Sequence, residues 1–221
     1  MSMLLTVLDR IDNVVKGVGK YASLLILPLI GVTMIDVITR KFTFLQQAIL
    51  NSPLHNLFSP TKLQELEWHL HAAIFVLSFG FCYLANAHVR VDLFKERLSK
   101  RRQAVIEFLG LVFLAMPYLF VMNYFGWGFF VSAFLSGEGS SALTGIPYRW
   151  VIKLIFLTGL ILLNVAVIST ALRILVYLFA KGDVQRQAFA SLHIFPHVEA
   201  EEIDERLPAE IKSSNFDGDH K

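Results

Sequence analysis

The sequence predicts an all-α integral membrane protein with four transmembrane helices, both termini in the cytoplasm, and an interfacial helical connector between spans one and two. Of its 221 residues, 55% are hydrophobic and 17% are charged, whereas soluble domains carry about a quarter charged residues. The mean hydropathy is +0.56. A helix needs about 20 apolar residues to cross a bilayer, and runs of that length cover approximately 21–40, 66–87, 105–135 and 147–179.

These spans form a membrane domain over residues 21–180, preceded by an amphipathic N-terminal lead-in, residues 1–20. The lead-in places apolar side chains on one helical face, namely Leu5, Leu8, Ile11 and Val15. We expect it to be solvated and to lie at the lipid headgroups. No small-residue cleavage site follows the first span, which is therefore predicted to be a permanent helix and not a signal peptide. Near its end, Asp36 lies one turn before Arg40 and can pair with it.

The connector over residues 41–63 mixes large apolar side chains with Gln, Asn, Ser and two prolines. It is too polar to span a bilayer and too apolar for a free loop, so we expect an interfacial helix ending near Pro53. The second span then runs from Glu65-Leu-Glu-Trp-His to His88-Val-Arg-Val-Asp-Leu-Phe, with no charge between residues 72 and 87.

The third and fourth runs are both longer than a bilayer requires. The third is expected to tilt, to kink at Pro117 or to project beyond the lipid. A turn-rich loop over 136–145 separates it from the fourth span, where Pro147 suits the first turn of a helix. The polar, acidic tail over 181–221 predicts a short helix followed by disorder.

Basic residues are concentrated on one side of the predicted topology. The lead-in, the connector between spans two and three, and the end of span four carry most of them, including Lys95, Arg97, Lys100, Arg101 and Arg102. The positive-inside rule therefore places both termini and that connector in the cytoplasm.

This orientation gathers a group of charged residues at the outer face: Asp36, Arg40, Glu65, Glu67, Glu138, Arg149 and Lys153. Charges at membrane depth tend to pair or to line polar cavities. Glu65 and Glu67 suit the positive N-terminal end of the second helix. Lys153 can either snorkel to the outer headgroups or pair across helices with Glu67 or Asp36.

The sequence shows no catalytic equipment. Spans one, three and four contain no histidine, so a haem held by histidines from two spans is not expected. Cys82 is the only cysteine, which rules out an internal disulfide or a cysteine metal cluster. No basic and aromatic pattern suits nucleic acid. We therefore predict a membrane subunit that is not an enzyme and that has no cofactor, no metal site and no nucleic-acid partner.

Four motifs, in order along the chain, resemble the small membrane (Q-type) subunit of tripartite ATP-independent periplasmic (TRAP) transporters. They are Glu65-Leu-Glu-Trp-His, His88-Val-Arg-Val-Asp-Leu-Phe, Glu138-Gly-Ser-Ser and Gly145-Ile-Pro-Tyr-Arg-Trp-Val-Ile-Lys. The resemblance covers about residues 18–180. No single motif is specific, but their ordered combination on four predicted spans is.

The resemblance implies a multi-pass subunit of the bacterial inner membrane that acts as a static scaffold for a large permease subunit. The large subunit would carry out sodium-driven uptake of an organic acid delivered by a periplasmic substrate-binding protein. The implied partners are these two proteins and membrane phospholipid. Structural, partner or lipid contacts are implied for Glu67, Trp68, His88, Arg90, Asp92, Glu138, Pro147, Arg149, Trp150 and Lys153.

Two other functions remain open from the residues. A small membrane-anchor subunit of a redox complex would bind haem or quinone and show a visible spectrum. An independent four-helix channel would be active in liposomes without a partner. Substrate binding is not expected in this chain, because the predicted midplanes carry no charge and few polar groups besides Asn123 and Asn164.

Overall fold

The computed structural model describes residues 2–53, 58–87 and 98–192. These ranges fold into helices joined by short turns and contain no strand, which confirms the predicted all-α class. The helices are α1 (Ser2–Ser23), α2 (Ile26–Lys41), α3 (Thr43–Leu50), α4 (Pro60–Leu77), α5 (Phe79–Leu84), α6 (Lys100–Gly110), α7 (Met116–Leu135), α8 (Trp150–Phe179) and α9 (Asp183–Ala190).

Three helical stretches in the described part of the chain are long and apolar enough to cross a membrane. They are Met3–Lys41, Lys100–Leu135 and Trp150–Phe179. The predicted second span is not in this group. Its first helix, α4, carries the charged residues Lys62, Glu65 and Glu67, and α5 follows after a turn at Ser78. The second span, and with it the total of four, stays a prediction, as does the side on which the termini lie.

The turn at Ser78 interrupts α4–α5 only slightly. The Ser78 amide donates to the Ile74 carbonyl at 3.1 Å, and its own carbonyl accepts from the Cys82 amide at 2.8 Å. Because both are ordinary i to i+4 helical bonds, the backbone path continues through the turn.

The N-terminal lead-in belongs to α1, whose apolar stripe is buried inside the protein. Leu5, Leu8 and Val15 are buried, and α1 packs against α4, α5 and α8. The expectation for this segment was a solvated helix at the headgroups. The structure instead gives its apolar face protein neighbours, because α5 and α8 offer complementary apolar surfaces that the sequence pattern of α1 alone does not reveal.

Helix α8 is the centre of the bundle and contacts α1, α4, α5, α6, α7 and α9. Two glycines permit close approach of helices in this bundle. A Cβ on Gly159 of α8 would overlap Val76 of α4, and a Cβ on Gly80 of α5 would overlap Val15 of α1. Small residues of this kind let helices in membranes pack closely.

The third span changes its helical register just before its proline. Residues Leu111–Ala115 form a π-helical turn, closed by the Met116 amide donating to the Leu111 carbonyl. Pro117 follows directly and has no amide to donate. The irregularity thus lies where the sequence predicted a kink.

The connector and the tail each contain a described helix. Helix α3, Thr43–Leu50, occupies the predicted connector and ends shortly before Pro53, and α9 is the short helix predicted in the tail. His88, Arg90, Asp92 and residues 193–221 lie outside the described residues.

Candidate functional site

Helix α4 begins at Pro60, six residues before the predicted start of the second span at residue 66. Ser59 is its N-cap, with the side-chain oxygen accepting from the Lys62 amide at 3.4 Å, and Pro60 occupies the first turn. Glu65 and Glu67 therefore lie beyond the first turn. Because the helix dipole acts mainly within that turn, their predicted capping role is wrong.

Glu65 instead holds the loop between α7 and α8. Its Oε1 accepts hydrogen bonds from the Ser140 hydroxyl and from Arg149 Nη2, the latter at 3.3 Å. Its Oε2 accepts from the Ile146 amide at 2.5 Å. The residue is only 8% exposed, so both carboxylate oxygens are committed to partners from this loop. We call Glu65, Ser140, Ile146 and Arg149 the Glu65 site.

The same loop is also closed on itself and onto α8. The Ser140 amide donates to the Ile146 carbonyl at 3.2 Å, and the Arg149 amide donates to the Glu138 carbonyl at 2.9 Å. Ser59 adds a bond from its hydroxyl to the Thr144 carbonyl at 3.2 Å. A turn-rich segment thus has a defined shape, because its backbone groups are satisfied locally.

Lys153 pairs with Glu138, with Nζ 2.5 Å from Oε2, and its Nζ lies 3.8 Å from the centre of the Phe129 ring. The predicted interhelical pair with Glu67 or Asp36 is therefore wrong. The loop supplies a nearer carboxylate, which the spacing along α8 could not indicate. The other predicted pair is confirmed, because Arg40 Nε lies 2.9 Å from Asp36 Oδ2.

The pKa of Glu65 reflects opposing effects at the edge of the bundle, before the predicted span over 66–87. Desolvation by burial raises it. Hydrogen bonds from the Ser140 hydroxyl and the Ile146 amide, together with the positive charge of Arg149, lower it by more. The net pKa therefore lies below the usual value for Glu, and the carboxylate is ionised at neutral pH.

A comparison with known protein families identifies the family of this chain. Residues 29–176 match the family described as "Tripartite ATP-independent periplasmic transporters, DctQ component". The chain is a member of the DctQ family. The matched 148 of 221 residues include the Glu65 site and α4 to α7 entire, and they confirm the resemblance drawn from the four motifs. Neither the curated proteins nor the solved structures gave a match.

The structure brings several predicted residues of this DctQ component to one end of the bundle. Trp68, Glu138, Arg149 and Lys153 line one cleft. Trp150 packs edge-on against Phe134, with ring centroids 5.4 Å apart. Pro147 lies three residues before Trp150, the first residue of α8, so its predicted place in the first turn of that helix is wrong; Tyr148, which follows it, adopts a left-handed φ of 63°.

Sequence reasoning missed part of the Glu65 site. The sequence places Ser140 in the loop over 136–145 and Ile146 in the motif that begins at Gly145, and it connects neither of them to Glu65. Their distance from Glu65 in sequence, 75 and 81 positions, explains why no local pattern connects them.

A second polar cluster of the DctQ component lies between α1 and α8. Arg173 Nη2 donates to Asp9 Oδ1 at 2.9 Å and to Asp12 Oδ2 at 2.8 Å. The Ser169 hydroxyl donates to Asp12 Oδ1 at 2.7 Å. Arg173 and Asp12 are each 2% exposed, so this is a buried ion pair. The sequence had indicated Arg173 only as a basic residue near the cytoplasmic end of span four.

Both clusters join helices and do not resemble catalytic groups. Among the described residues, no group of three or more His, Cys, Asp and Glu side chains could hold a metal ion. The carboxylates of Glu65 and Asp12 are each bonded to an arginine and to a hydroxyl. Such arrangements fix the relative positions of helices and loops.

Proposed function

We propose that this chain is the small permease subunit of a TRAP-type secondary transporter, acting as a static scaffold for the large permease subunit. That complex would take up an organic acid with sodium after delivery by a periplasmic binding protein. The proposal extends the DctQ family assignment. The observation that supports the scaffold role is the Glu65 site, where a buried carboxylate of α4 fixes the position of the loop between α7 and α8.

The hydrogen bonds of the polar side chains in the apolar helices support the proposal that this chain has no substrate site. Asn123 Nδ2 donates to the Leu119 carbonyl at 2.7 Å, and Asn164 Nδ2 donates to the Leu160 carbonyl at 3.1 Å. Thr158 likewise donates to its own helix, at Leu154. Transporters bind substrate and coupling ions near the midplane, and here the amide groups are already bonded to neighbouring backbone.

We place this subunit in a bacterial inner membrane with four crossings and cytoplasmic termini. Helices α4 and α5 would supply the second crossing over residues 66–87, which the nearly continuous backbone hydrogen bonding at Ser78 supports. The charge asymmetry supports the orientation. The loop held by Glu65 would then face the periplasm, where the binding protein approaches.

The surface of α7 supports contact with lipid or with the large subunit. Large apolar side chains project from it around the helix and are exposed: Tyr118, Phe120, Tyr124, Phe125, Trp127, Phe129 and Phe134. In a bilayer these side chains can remain in contact with lipid, because lipid tails are as apolar as they are. They can also pack against apolar helices of a partner.

Reconstitution tests the scaffold role. Proteoliposomes containing both membrane subunits and the binding protein should take up substrate with a sodium gradient, and omission of this chain should abolish uptake. Asn123→Ala and Asn164→Ala should leave the apparent substrate affinity unchanged. A large change in affinity in either variant would place part of the substrate site in this chain and contradict the proposal.

A further inference from the structure

An exposed groove lies on the side of α6 that faces away from the bundle. Its volume is about 440 Å³, and its lining residues are Leu98, Ser99, Arg101, Arg102, Val105 and Ile106. Gln103 and Ala104 are buried on the opposite face of the helix. The two arginines are exposed, as are Val105 at 39% and Ile106 at 51%. The groove therefore presents two positive charges beside an apolar surface.

The described part of the chain ends near this region of α6. Ala104 of α6, Ala188 of α9 and Leu192 belong to one cluster of buried side chains, which also includes Ile174 and Tyr177 of α8. Leu192 is the last described residue, and residues 193–221 continue from it. The tail therefore leaves the bundle at the same end as the groove, whichever side of the membrane that end faces.

The tail contains a segment whose chemistry complements the groove. Residues 199–205 read Glu-Ala-Glu-Glu-Ile-Asp-Glu and include five carboxylates and no basic residue. Carboxylates form charge-assisted hydrogen bonds with guanidinium groups. Ile203 supplies a large apolar side chain among these charges. The segment thus matches both the positive charge and the apolar surface of the groove.

The segment is also close enough along the chain to reach the groove. Glu199 follows Leu192 by seven residues, and seven extended residues span about 24 Å. This length is about twice the diameter of a helix with its side chains, so the tail can pass around α6. Attachment to the same chain gives the segment an effective concentration on the order of millimolar, which favours it over a free anion.

We propose that the acidic segment over residues 199–205 docks in the groove on α6. Its carboxylates pair with Arg101 and Arg102, and Ile203 covers Val105 and Ile106. The docked segment shields the two arginines from anionic lipid headgroups. The tail lies outside the residues matched by the family, 29–176, and the proposal does not depend on the transport role.

Cross-linking within the full-length chain tests this contact in nanodiscs of phosphatidylcholine. In a Cys82→Ser background, Ser99→Cys in the groove is combined with Ile203→Cys or with Ser214→Cys, and a short bismaleimide is added. Intact-mass spectrometry measures the internally cross-linked fraction. We expect at least about fivefold more cross-linking to position 203 than to position 214, which lies beyond the segment and reports chance contact. Equal fractions would overturn the proposal.

Charge reversal tests the ion pairs. Arg101→Glu/Arg102→Glu should reduce the cross-link at position 203 to the chance level, and addition of Glu201→Lys/Glu202→Lys should restore it. Lys41→Glu is the control, since Lys41 is exposed at the end of α2 and lies outside the groove. Because ion pairs at a surface are screened by salt, 1 M NaCl should also weaken the cross-link. A cross-link that survives reversal of the arginines would refute the pairing.

The reversed tail provides a test that leaves α6 intact. Glu201→Lys/Glu202→Lys alone should lose the cross-link, and it decides the outcome if circular dichroism or size-exclusion chromatography shows that Arg101→Glu/Arg102→Glu misfolds. An unchanged cross-link in this variant would overturn the proposal.

Anionic lipid is the competing occupant of the groove. Nanodiscs with equal amounts of phosphatidylcholine and phosphatidylglycerol should give the same cross-linked fraction as phosphatidylcholine alone, because the attached segment carries several carboxylates and a headgroup carries one phosphate. Loss of the cross-link in phosphatidylglycerol would assign the arginines to phosphate headgroups and contradict the docking of the tail.

Discussion

Glu65 of α4 and Arg149, the residue before α8, form an ion pair across 84 positions of sequence, with Nη2 3.3 Å from Oε1. This distance is long for a hydrogen bond between charged groups. The same carboxylate also accepts hydrogen bonds from the Ser140 hydroxyl and the Ile146 amide, and the three interactions together hold the loop. One side chain of α4 thereby defines where α8 begins relative to the loop.

Glu65→Ala should destabilise the bundle by about 1–3 kcal/mol, because it leaves the Ser140, Ile146 and Arg149 donors without their shared acceptor. The midpoint of thermal unfolding in detergent measures this. Ile161→Ala is the control, since Ile161 is 49% exposed on α8 and should change stability by less than about 0.5 kcal/mol. Equal midpoints for the two variants would show that the carboxylate is not a structural tie.

The lowered pKa of Glu65 predicts a specific dependence on pH. A group whose pKa is lower in the folded state stabilises the fold above its unfolded pKa, and this stabilisation is lost as pH falls through the folded value. Wild-type stability relative to Glu65→Gln should therefore be constant above about pH 6 and should decline below about pH 4.3, the ordinary value for Glu. Parallel curves for the two proteins from pH 7 to 3.5 would contradict the assignment.

Breaking the buried pair between α1 and α8 should be the most damaging single change. Arg173→Met leaves Asp12 buried and uncompensated, which costs about 3–5 kcal/mol. The double variant Arg173→Met/Asp12→Leu should recover much of that loss, because replacing both charges with apolar groups removes the unpaired one. A double-mutant cycle on unfolding free energies measures the coupling, and strict additivity of the two changes would refute it.

Membrane topology can be tested with single cysteines in a Cys82→Ser background. Leu143→Cys, at a fully exposed position of the loop, should react with an impermeant maleimide added outside intact cells. Arg101→Cys, exposed on α6, should react only after permeabilisation. Labelling of Leu143→Cys solely from the cytoplasmic side would reverse the predicted orientation.

Local patterns predicted much of the fold. Apolar runs indicated the stretches that became α2, α6–α7 and α8, and spacing predicted the Asp36–Arg40 pair because residues four apart share a helical face. The start of α4 was missed, because its first turn is polar and its cap, Ser59, lies before the apolar run. Pro117 itself predicted an irregularity in the third span, but nothing in the sequence predicted that it would be a π-helical turn.

Contacts between distant residues could not be predicted from local patterns. Lys153 was expected either to snorkel to the headgroups or to pair with Glu67 or Asp36, but it pairs with Glu138 on the loop. The ion pair between Asp12 and Arg173 was not predicted either. The amphipathic spacing of the lead-in does not distinguish a helix face against lipid from a face against another helix. The order of the motifs indicated the family, and the structure shows that residues of three of these motifs meet at Glu65. The motif that begins at His88 lies outside the described residues.

The contact between Asp12 and Arg173 also concerns the timing of biogenesis. These residues are 161 positions apart, and at about 5–20 residues per second the ribosome needs roughly 8–30 s to proceed from one to the other. Throughout that interval the nascent chain carries an acidic side chain without its cation. Because an unpaired charge is costly in hydrocarbon, we expect Asp12 to stay near water until α8 is synthesised, and α1 to dock after α8.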